Sequence, residues 1–339
     1  MSQKSLRGCA SCGVLVVVML SVATPAIAIS EGAQEYLLEA LDIIQENALN
    51  SDKIDWDSWR DSALRRAGST RSPRETYPVI RLTPQRLQDN HSFLVPPMPD
   101  SSDSSSSEWA PPPFVEPTGV LIAERVAILT VPACSGAYDD ETTARYANTL
   151  HQLICELRAD GEAAWIVDLR GNGGGNMWSM IAGLGPLLGE GVVGFMVYPA
   201  DGREDAWPYQ AGASYLEEQE VISVDAADLC PIMKPLAPAA MLIGPETASS
   251  GEATAISFIG RENTRILGQA SAGLTTATMG FDLSDGAAIV LTVAVFADRT
   301  GTQYGEPIIP DEEIITSGTA SGSDEGITAA IEWLREQSR

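Results

Sequence analysis

The fold is decided by residues 239–258, which read AAMLIGPETASSGEATAISF. A short apolar run is followed by a polar turn and then by a segment of helical composition that begins at Glu252. This order predicts a buried strand that leads through a tight turn into a helix. The turn places Ser249 and Ser250 at the helix N-terminus, where unpaired backbone N–H groups and the helix dipole stabilise an anion. A serine nucleophile would be well placed there.

Strands and helices alternate on both sides of this segment. The predicted elements from residue 119 onward are a hairpin around Glu124 and Arg125, a helix at 140–158, a strand at 164–168, a helix at 178–188, strands at 192–197 and 239–243, a hairpin that turns at Asp285 and Gly286, and a helix at 324–337. This alternation is typical of an α/β domain with a substantially parallel sheet.

The first 28 residues have the pattern of an export signal. Lys4 and Arg7 precede an apolar run, and residues 25–28 (PAIA) resemble a cleavage site. A membrane anchor is the alternative, but the run is shorter than the roughly 20 residues that a spanning helix needs, and it soon meets Pro25. We therefore expect export to the periplasm or the exterior, with cleavage near Ala28 and no stable membrane anchor.

Three further segments follow the signal. Residues 29–95 have helical periodicity and predict a small N-terminal helical domain that carries His91. Residues 96–117 are rich in serine and proline and predict a linker or an exposed loop, which is either a solvated connection or a lid over a cleft. Residues 118–339 form the predicted α/β domain.

Charge and cysteine content narrow the function classes. A net charge of −25 would repel a phosphate backbone, so nucleic acid is excluded as a partner and solubility is the simpler explanation. Cys9 and Cys12 leave with the signal. The remaining Cys134, Cys155 and Cys230 allow one disulfide and a free thiol, or none, and their spacing does not choose. They are too scattered in sequence for a zinc site, and no metal or cofactor is predicted.

The segment 168–176, DLRGNGGGN, joins a predicted buried strand to a helix. A dinucleotide fingerprint, G-x-G-x-x-G, fails because Asn176 occupies the third glycine position. The alternative is a turn whose backbone amides approach a substrate oxygen, since glycine accepts positive φ and has no side chain. A tight strand-to-helix turn without a ligand accounts for some of these glycines as well.

The serine turn and the histidines are interpreted together. An α/β-hydrolase elbow, G-x-S-x-G, is excluded because Thr247 or Ala248 stands where the first glycine is needed. Helix capping is the alternative role for the serines. A serine needs a base, and the chain has only two histidines. His151 lies beside the apolar stripe of its helix and is expected at the helix boundary, so His91 is the candidate base.

Four motifs, in this order, resemble those of the C-terminal processing (tail-specific) serine peptidases. They are DLRGNGGG at 168–175, TASSGE at 247–252, GQASAG at 268–273 and GEPIIPD at 305–311. The resemblance extends from about residue 75 to the C-terminus and implies a ClpP/crotonase-like ββα fold. It also implies that Ser249 is the nucleophile, because Glu252 stands three residues later as in the family's S-x-x-E motif. The oxyanion hole is then expected from the N–H groups of Gly174 and Ser250.

One departure from that family is important. Leu274 stands where tail-specific members have their lysine base, and no PDZ domain fits between His91 and the first strand. The chain instead resembles the branch that includes the tricorn protease core and nisin-resistance protein, in which a histidine from the N-terminal part acts as base. His91 matches that position.

The resemblance also predicts a carboxylate that orients His91. Glu306 is the first choice and Glu252 the second, the alternative role of Glu252 being charge compensation at the helix N-terminus. The sequence thus predicts an exported serine peptidase that acts on peptides or proteins through a Ser–His mechanism, with no prediction of oligomeric state. The alternative is a non-catalytic binding protein on the same fold that holds an apolar ligand or a peptide end.

Overall fold

The computed structural model describes residues 28–97, 113–122, 125–135, 139–158, 164–232, 234–315 and 324–337. The predicted signal up to residue 27 and the serine-rich residues 98–112 lie outside the described residues. None of the described helices combines the length and the apolar composition that a membrane crossing requires.

Four helices form the N-terminal region. They are α1 (Glu31–Asn47), α2 (Trp56–Ala67), α3 (Pro73–Ile80) and α4 (Pro84–Leu87), with a 3-10 turn at Ser51–Lys53 after the first. The Ser30 hydroxyl and the Asp55 carboxylate accept backbone N–H groups and so cap α1 and α2. Proline opens α3 and α4, where its missing N–H removes no helical hydrogen bond.

The rest of the described chain contains thirteen strands and four longer helices. The strands are β1 (Phe93–Val95), β2 (Thr118–Leu121), β3 (Val126–Thr130), β4 (Ala164–Asp168), β5 (Gly191–Tyr198), β6 (Arg203–Gln210), β7 (Ala213–Leu216), β8 (Gln219–Ser223), β9 (Ala239–Ile243), β10 (Thr264–Gly268), β11 (Thr276–Asp282), β12 (Ala288–Asp298) and β13 (Glu312–Glu313). The helices are α5 (Asp140–Arg158), α6 (Met177–Leu188), α7 (Ser250–Phe258) and α8 (Glu325–Gln337).

The first sheet has the order β13-β10-β9-β4-β3-β2 and is parallel except for β2. All five residues of β9 are buried because both faces of the sheet are covered. One face packs against α5, α6 and α7, and the other packs against α8. The predicted parallel sheet is confirmed, as are the predicted strand at 164–168 and the helix at 140–158.

The second sheet is antiparallel and has the order β1-β12-β5-β6-β7-β8, with β11 on the other edge of β12. The sequence analysis did not predict β6, β7 or β8. In β6 the inward positions are Asp205, Trp207 and Tyr209, so a buried acid interrupts the apolar alternation that marks a strand.

The N-terminal helices share one apolar core with the β11–β12 hairpin. Leu37 and Ile44 of α1 belong to the same buried cluster as Ile289 and Leu291 of β12. The hairpin turns at Asp285 and Gly286, as predicted. The helical region is therefore packed directly on the strand pair that leads to the candidate site.

A disulfide joins α5 to the segment that follows β8. It links Cys155 to Cys230, which are 75 residues apart in sequence. Cys134 is buried and unpaired. The structure thus selects one pairing among those that the spacing allowed.

Candidate active site

The nucleophile candidate lies in a strained turn between β9 and α7. Ser249 is the N-cap residue of α7 and has φ 52° and ψ −118°, a conformation that residues with a side chain rarely adopt. It is partly exposed. The turn is held from below, because the Thr247 hydroxyl donates to the carbonyl of Leu169 at 2.8 Å and the Ala248 N–H donates to the carbonyl of Asn172 at 3.0 Å. Strain that the surroundings maintain in this way is characteristic of functional sites.

Glu252 is completely buried below this turn and accepts four hydrogen bonds. Its carboxylate receives the N–H of Ser249 at 2.9 Å, the hydroxyl of Ser271 at 2.5 Å, and the N–H groups of Gly273 and Leu274 at 2.8 Å each. Burial raises the pKa of Glu252, and these hydrogen bonds act in the opposite direction. Glu252 therefore ties the serine turn to residues 271–274, and its oxygens are fully used by these contacts.

The glycine-rich turn after β4 lies directly against the serine turn. A Cβ added to Gly174 would lie 2.9 Å from the Cβ of Ser249, and one added to Gly175 would lie 1.6 Å from the carbonyl oxygen of Cys134. Both glycines have φ above 100°. The Ser250 hydroxyl donates to the carbonyl of Gly175 at 2.6 Å. Glycine is therefore required at both positions for the two turns to meet.

The predicted oxyanion donors differ in their availability. The Gly174 N–H donates to Asn172 Oδ1 at 3.0 Å, so in this conformation it already has an acceptor, which differs from the prediction. The N–H groups of Ser250 and Gly175 have no hydrogen-bond acceptor among the described residues. Ser250 also stands at the positive end of α7, where an anion is favoured.

His91 is fixed by a short turn between α4 and β1. Asp89 Oδ1 accepts the N–H groups of His91 and Ser92, both at 3.0 Å. The Ser92 hydroxyl in turn accepts the N–H of Thr292 at 2.9 Å, where β1 pairs with β12. The ring nitrogen Nδ1 of His91 lies 2.8 Å from Thr276 Oγ1. His91 is thus anchored to the β11–β12 strand pair.

The electrostatic environment keeps His91 neutral. Burial lowers the pKa of the imidazole, and the nearby Asp89 carboxylate opposes this with a smaller effect. A neutral imidazole has one free lone pair and is a base over a wider pH range than a solvent-exposed histidine.

Neither predicted carboxylate contacts the ring of His91 among the described contacts. Glu306 is exposed, and its backbone carbonyl accepts the hydroxyl of Thr275 at 3.0 Å. Glu252 uses its oxygens on the four groups named above. The sequence analysis missed Thr276 as the partner of Nδ1, since threonine is an ordinary residue at the start of a strand and carried no signal of its own.

His151 has a structural environment. It is fully buried instead of lying at the helix boundary, and its Nε2 accepts the N–H of Cys230 at 3.3 Å beside the disulfide. Burial lowers its pKa. Although His151, Cys155 and Cys230 come together in space, the two cysteines are bonded to each other, so they do not supply the thiolates that a zinc site requires.

The chain belongs to peptidase family S41, whose model matches residues 125–314. Among its relatives, nisin-resistance protein of Lactococcus lactis subsp. lactis is 31% identical over 307 residues, which cover 90% of this chain and 87% of that protein. The predicted resemblance to this branch is confirmed.

Two solved structures show the same fold. A lipoprotein from Streptococcus agalactiae matches with a TM-score of 0.69 and 23% identity, covering 91% of this chain and 98% of its own. The photosystem II D1 C-terminal processing protease matches with a TM-score of 0.59 and 16% identity, covering 84% and 94%. The predicted α/β architecture with ClpP/crotonase-like topology is consistent with both.

Proposed function

We propose that this protein is an exported serine peptidase in which Ser249 is the nucleophile and His91 is the general base. The observation that carries the proposal is that residues 271–276 contact both groups. The N–H groups of Gly273 and Leu274 reach Ser249 through the Glu252 carboxylate, and Thr276 touches the His91 ring. Nucleophile and base are therefore attached to one short stretch of chain.

The reaction would proceed in two steps. Ser249 Oγ attacks the peptide carbonyl while His91 Nε2 takes its proton, and the same proton passes to the leaving amine. Water, deprotonated by His91, then releases the acyl group from Ser249. The negative charge on the carbonyl oxygen would be stabilised by the Ser250 N–H together with an amide of the glycine-rich turn, either Gly175 or, after release from Asn172, Gly174. Each such donor contributes about 3 kcal/mol in other serine enzymes.

Labelling with a fluorophosphonate probe tests the nucleophile. We expect the wild type to be labelled and Ser249→Ala to show no labelling, while Ser58→Ala, a change at an exposed serine of α2, retains it. His91→Gln is expected to slow labelling strongly because the hydroxyl then lacks its base. An unlabelled wild type, or equal labelling of Ser249→Ala, contradicts the proposal and favours a binding protein on the same fold.

Export is supported by two observations. The first 28 residues have the pattern of a cleaved signal, and the Cys155–Cys230 disulfide is typical of an oxidising compartment. We expect the mature chain to begin near Ile29, which intact-mass measurement of the protein from its native host would detect. A mass that still includes the first 28 residues contradicts this expectation.

The substrate class follows from the family and the fold. We propose peptides or proteins, cleaved without a cofactor and without a required free C-terminus, because no PDZ-like segment separates His91 from the α/β part. The name of the Lactococcus lactis relative connects that protein with nisin. Hydrolysis of a library of unmodified peptides, compared between wild type and Ser249→Ala, checks the class.

A further inference from the structure

Thr276 provides the only polar side chain that the structure places in contact with the His91 ring among the described residues. Thr276 is 8% exposed. It is the first residue of β11, and its hydroxyl oxygen can accept one hydrogen bond from an N–H group while its own hydrogen remains available to another acceptor. The contact involves a neutral group at the place where many serine enzymes have a carboxylate.

We propose that Thr276 is the positioning residue of the base: its hydroxyl oxygen accepts the proton of His91 Nδ1–H, which leaves the Nε2 lone pair free for the Ser249 proton. The catalytic part of this inference rests on the proposed function. A neutral imidazole carries one N–H and one lone pair, so the partner of Nδ1 decides which nitrogen is the base. The opposite tautomer would place a hydrogen on Nε2 and would prevent proton transfer from the serine.

The position of Thr276 is itself determined from several sides. The Phe296 N–H donates to the carbonyl of Thr275 at 3.0 Å, and the Thr275 hydroxyl donates to the carbonyl of Glu306 at 3.0 Å. Thr276 then pairs with Val295 in the β11–β12 ladder. A side chain that starts from so constrained a backbone can hold a ring in one orientation.

The same stretch of chain fixes the nucleophile, because Gly273 and Leu274 donate to the carboxylate that holds the Ser249 N–H. The spacing between base and nucleophile is thus set by the two residues that separate Leu274 from Thr276. Glu252 acts on the serine side of this stretch and Thr276 on the histidine side, so the two residues have different roles.

The test uses histidine tautomers, which ¹⁵N NMR of selectively labelled protein reports directly. The chain has only two histidines, so His91 and His151 give two ring spectra. Thr276→Val removes the hydroxyl at nearly constant volume, and Thr276→Ser keeps it as the matched control. We expect His91 to be protonated on Nδ1 in wild type and Thr276→Ser. In Thr276→Val we expect the His91 signals to move towards a mixture of tautomers while those of His151 stay unchanged.

Kinetics supply the second measurement. We expect Thr276→Val to lower kcat about tenfold to a hundredfold with KM within about twofold, since general base catalysis contributes about 10²–10⁴ and only its orientation is lost. Thr276→Ser should stay within about threefold of wild type because it retains the hydroxyl. Thr276→Ala gives the same comparison with a smaller side chain if the valine variant does not fold.

Two results would overturn the inference. One is a wild-type His91 protonated on Nε2, and the other is a Thr276→Val protein identical to Thr276→Ser in both tautomer and kcat. Because the NMR measurement does not require activity, it separates this inference from the proposed function. An inactive wild type in which Thr276→Val still changes the His91 tautomer would contradict the peptidase proposal and support the orienting contact.

Discussion

The proposed nucleophile and the proposed base are held in place in different ways. Ser249 lies where the parallel sheet ends, and its turn is bonded to neighbouring loops of the same sheet through Asn172 and Glu252. His91 lies on the helical region, and its position depends on packing against the β11–β12 hairpin. The serine turn therefore forms with the sheet, whereas the base is added when a second part of the chain docks.

This difference predicts separable effects. Damage to the contacts below Ser249 should affect both stability and the nucleophile, because those contacts belong to the main core. Damage to the contacts between the helices and the hairpin should misplace His91 and leave the serine turn intact. The following changes are arranged from the largest expected effect to the smallest.

Glu252→Ala is expected to be the most damaging change to the serine side. It leaves the N–H groups of Ser249, Gly273 and Leu274 without their acceptor. Each unpaired buried group costs about 1–3 kcal/mol, so we expect the free energy of unfolding to fall by about 3 kcal/mol or more. Urea denaturation measures this. Glu252→Gln, which keeps one acceptor oxygen, should lie between the two, and a loss below about 0.5 kcal/mol in the alanine variant would contradict the structure.

Removal of the disulfide affects the same side of the molecule at a distance from the site. The double change Cys155→Ser and Cys230→Ser frees a loop of 75 residues in the unfolded chain and should lower stability by about 2–4 kcal/mol. Fluorophosphonate labelling of Ser249 below the melting temperature should remain at the wild-type rate. A melting temperature equal to that of wild type would show that the bond does not constrain the chain.

Asp285→Ala tests the docking of the helical region. The Asp285 carboxylate accepts the hydroxyls of Tyr36 and Tyr77, both at 2.6 Å. Since Asp285 is partly exposed, we expect a loss of about 1–2 kcal/mol, less than for two fully buried charged hydrogen bonds. Labelling of Ser249 should slow because His91 is displaced, and Asp285→Asn should lose less in both measurements.

The stabilisation by Asp285 should also depend on pH. Burial raises the pKa of this carboxyl, but the hydrogen bonds from Tyr36 and Tyr77 outweigh it and the net pKa lies below the ordinary value. A carboxyl with a lowered pKa in the folded state stabilises above the unfolded pKa and loses that effect as the pH falls through the folded pKa. The difference in unfolding free energy between wild type and Asp285→Ala should therefore be largest near pH 7 and shrink below about pH 4. A constant difference from pH 7 to pH 2 would contradict this.

The smallest effect concerns the acid limb of activity. Because burial lowers the pKa of His91, kcat/KM should keep its neutral-pH value as the pH falls past 6.5 and decline only at lower pH. Asp89→Asn removes the opposing charge but keeps an acceptor oxygen, so the limb should move further down, by less than about one pH unit. A limb above pH 6.5 would indicate that His91 is not the titrating base.

The sequence predicted the serine side of the site better than the histidine side. The run from Ala239 to Ile243 is continuously apolar because both sheet faces are covered, and the turn after it carries a serine pair and Glu252 at capping distance. These signals are local. The contacts of Glu252 with residues 271–274 were not predicted, since they depend on how two loops meet.

The histidine side depends on pairs that are far apart along the chain. His91 and Thr276 are 185 residues apart, and Ser92 and Thr292 are 200 apart. No periodicity or spacing reports such contacts. The resemblance to a family indicated His91 as the base, but it led to Glu306 as the orienting group, and the described structure places a threonine hydroxyl there instead. The pairing of Cys155 with Cys230 was beyond sequence reasoning for the same cause.

Asn172 has a consequence for how this sequence can evolve. Its backbone carbonyl accepts from Ala248, its Oδ1 accepts from Gly174, and its Nδ2 donates to the carbonyl of Val131. Aspartate would lose the donor and turn a negative charge towards the Val131 carbonyl, while glutamine would be one methylene too long. A Cβ on Gly251 would come within 2.4 Å of the Asn172 carbonyl oxygen, so these two positions restrict each other. The mutational tolerance of the site is thus set as strictly by an amide that touches no substrate as by the serine that would.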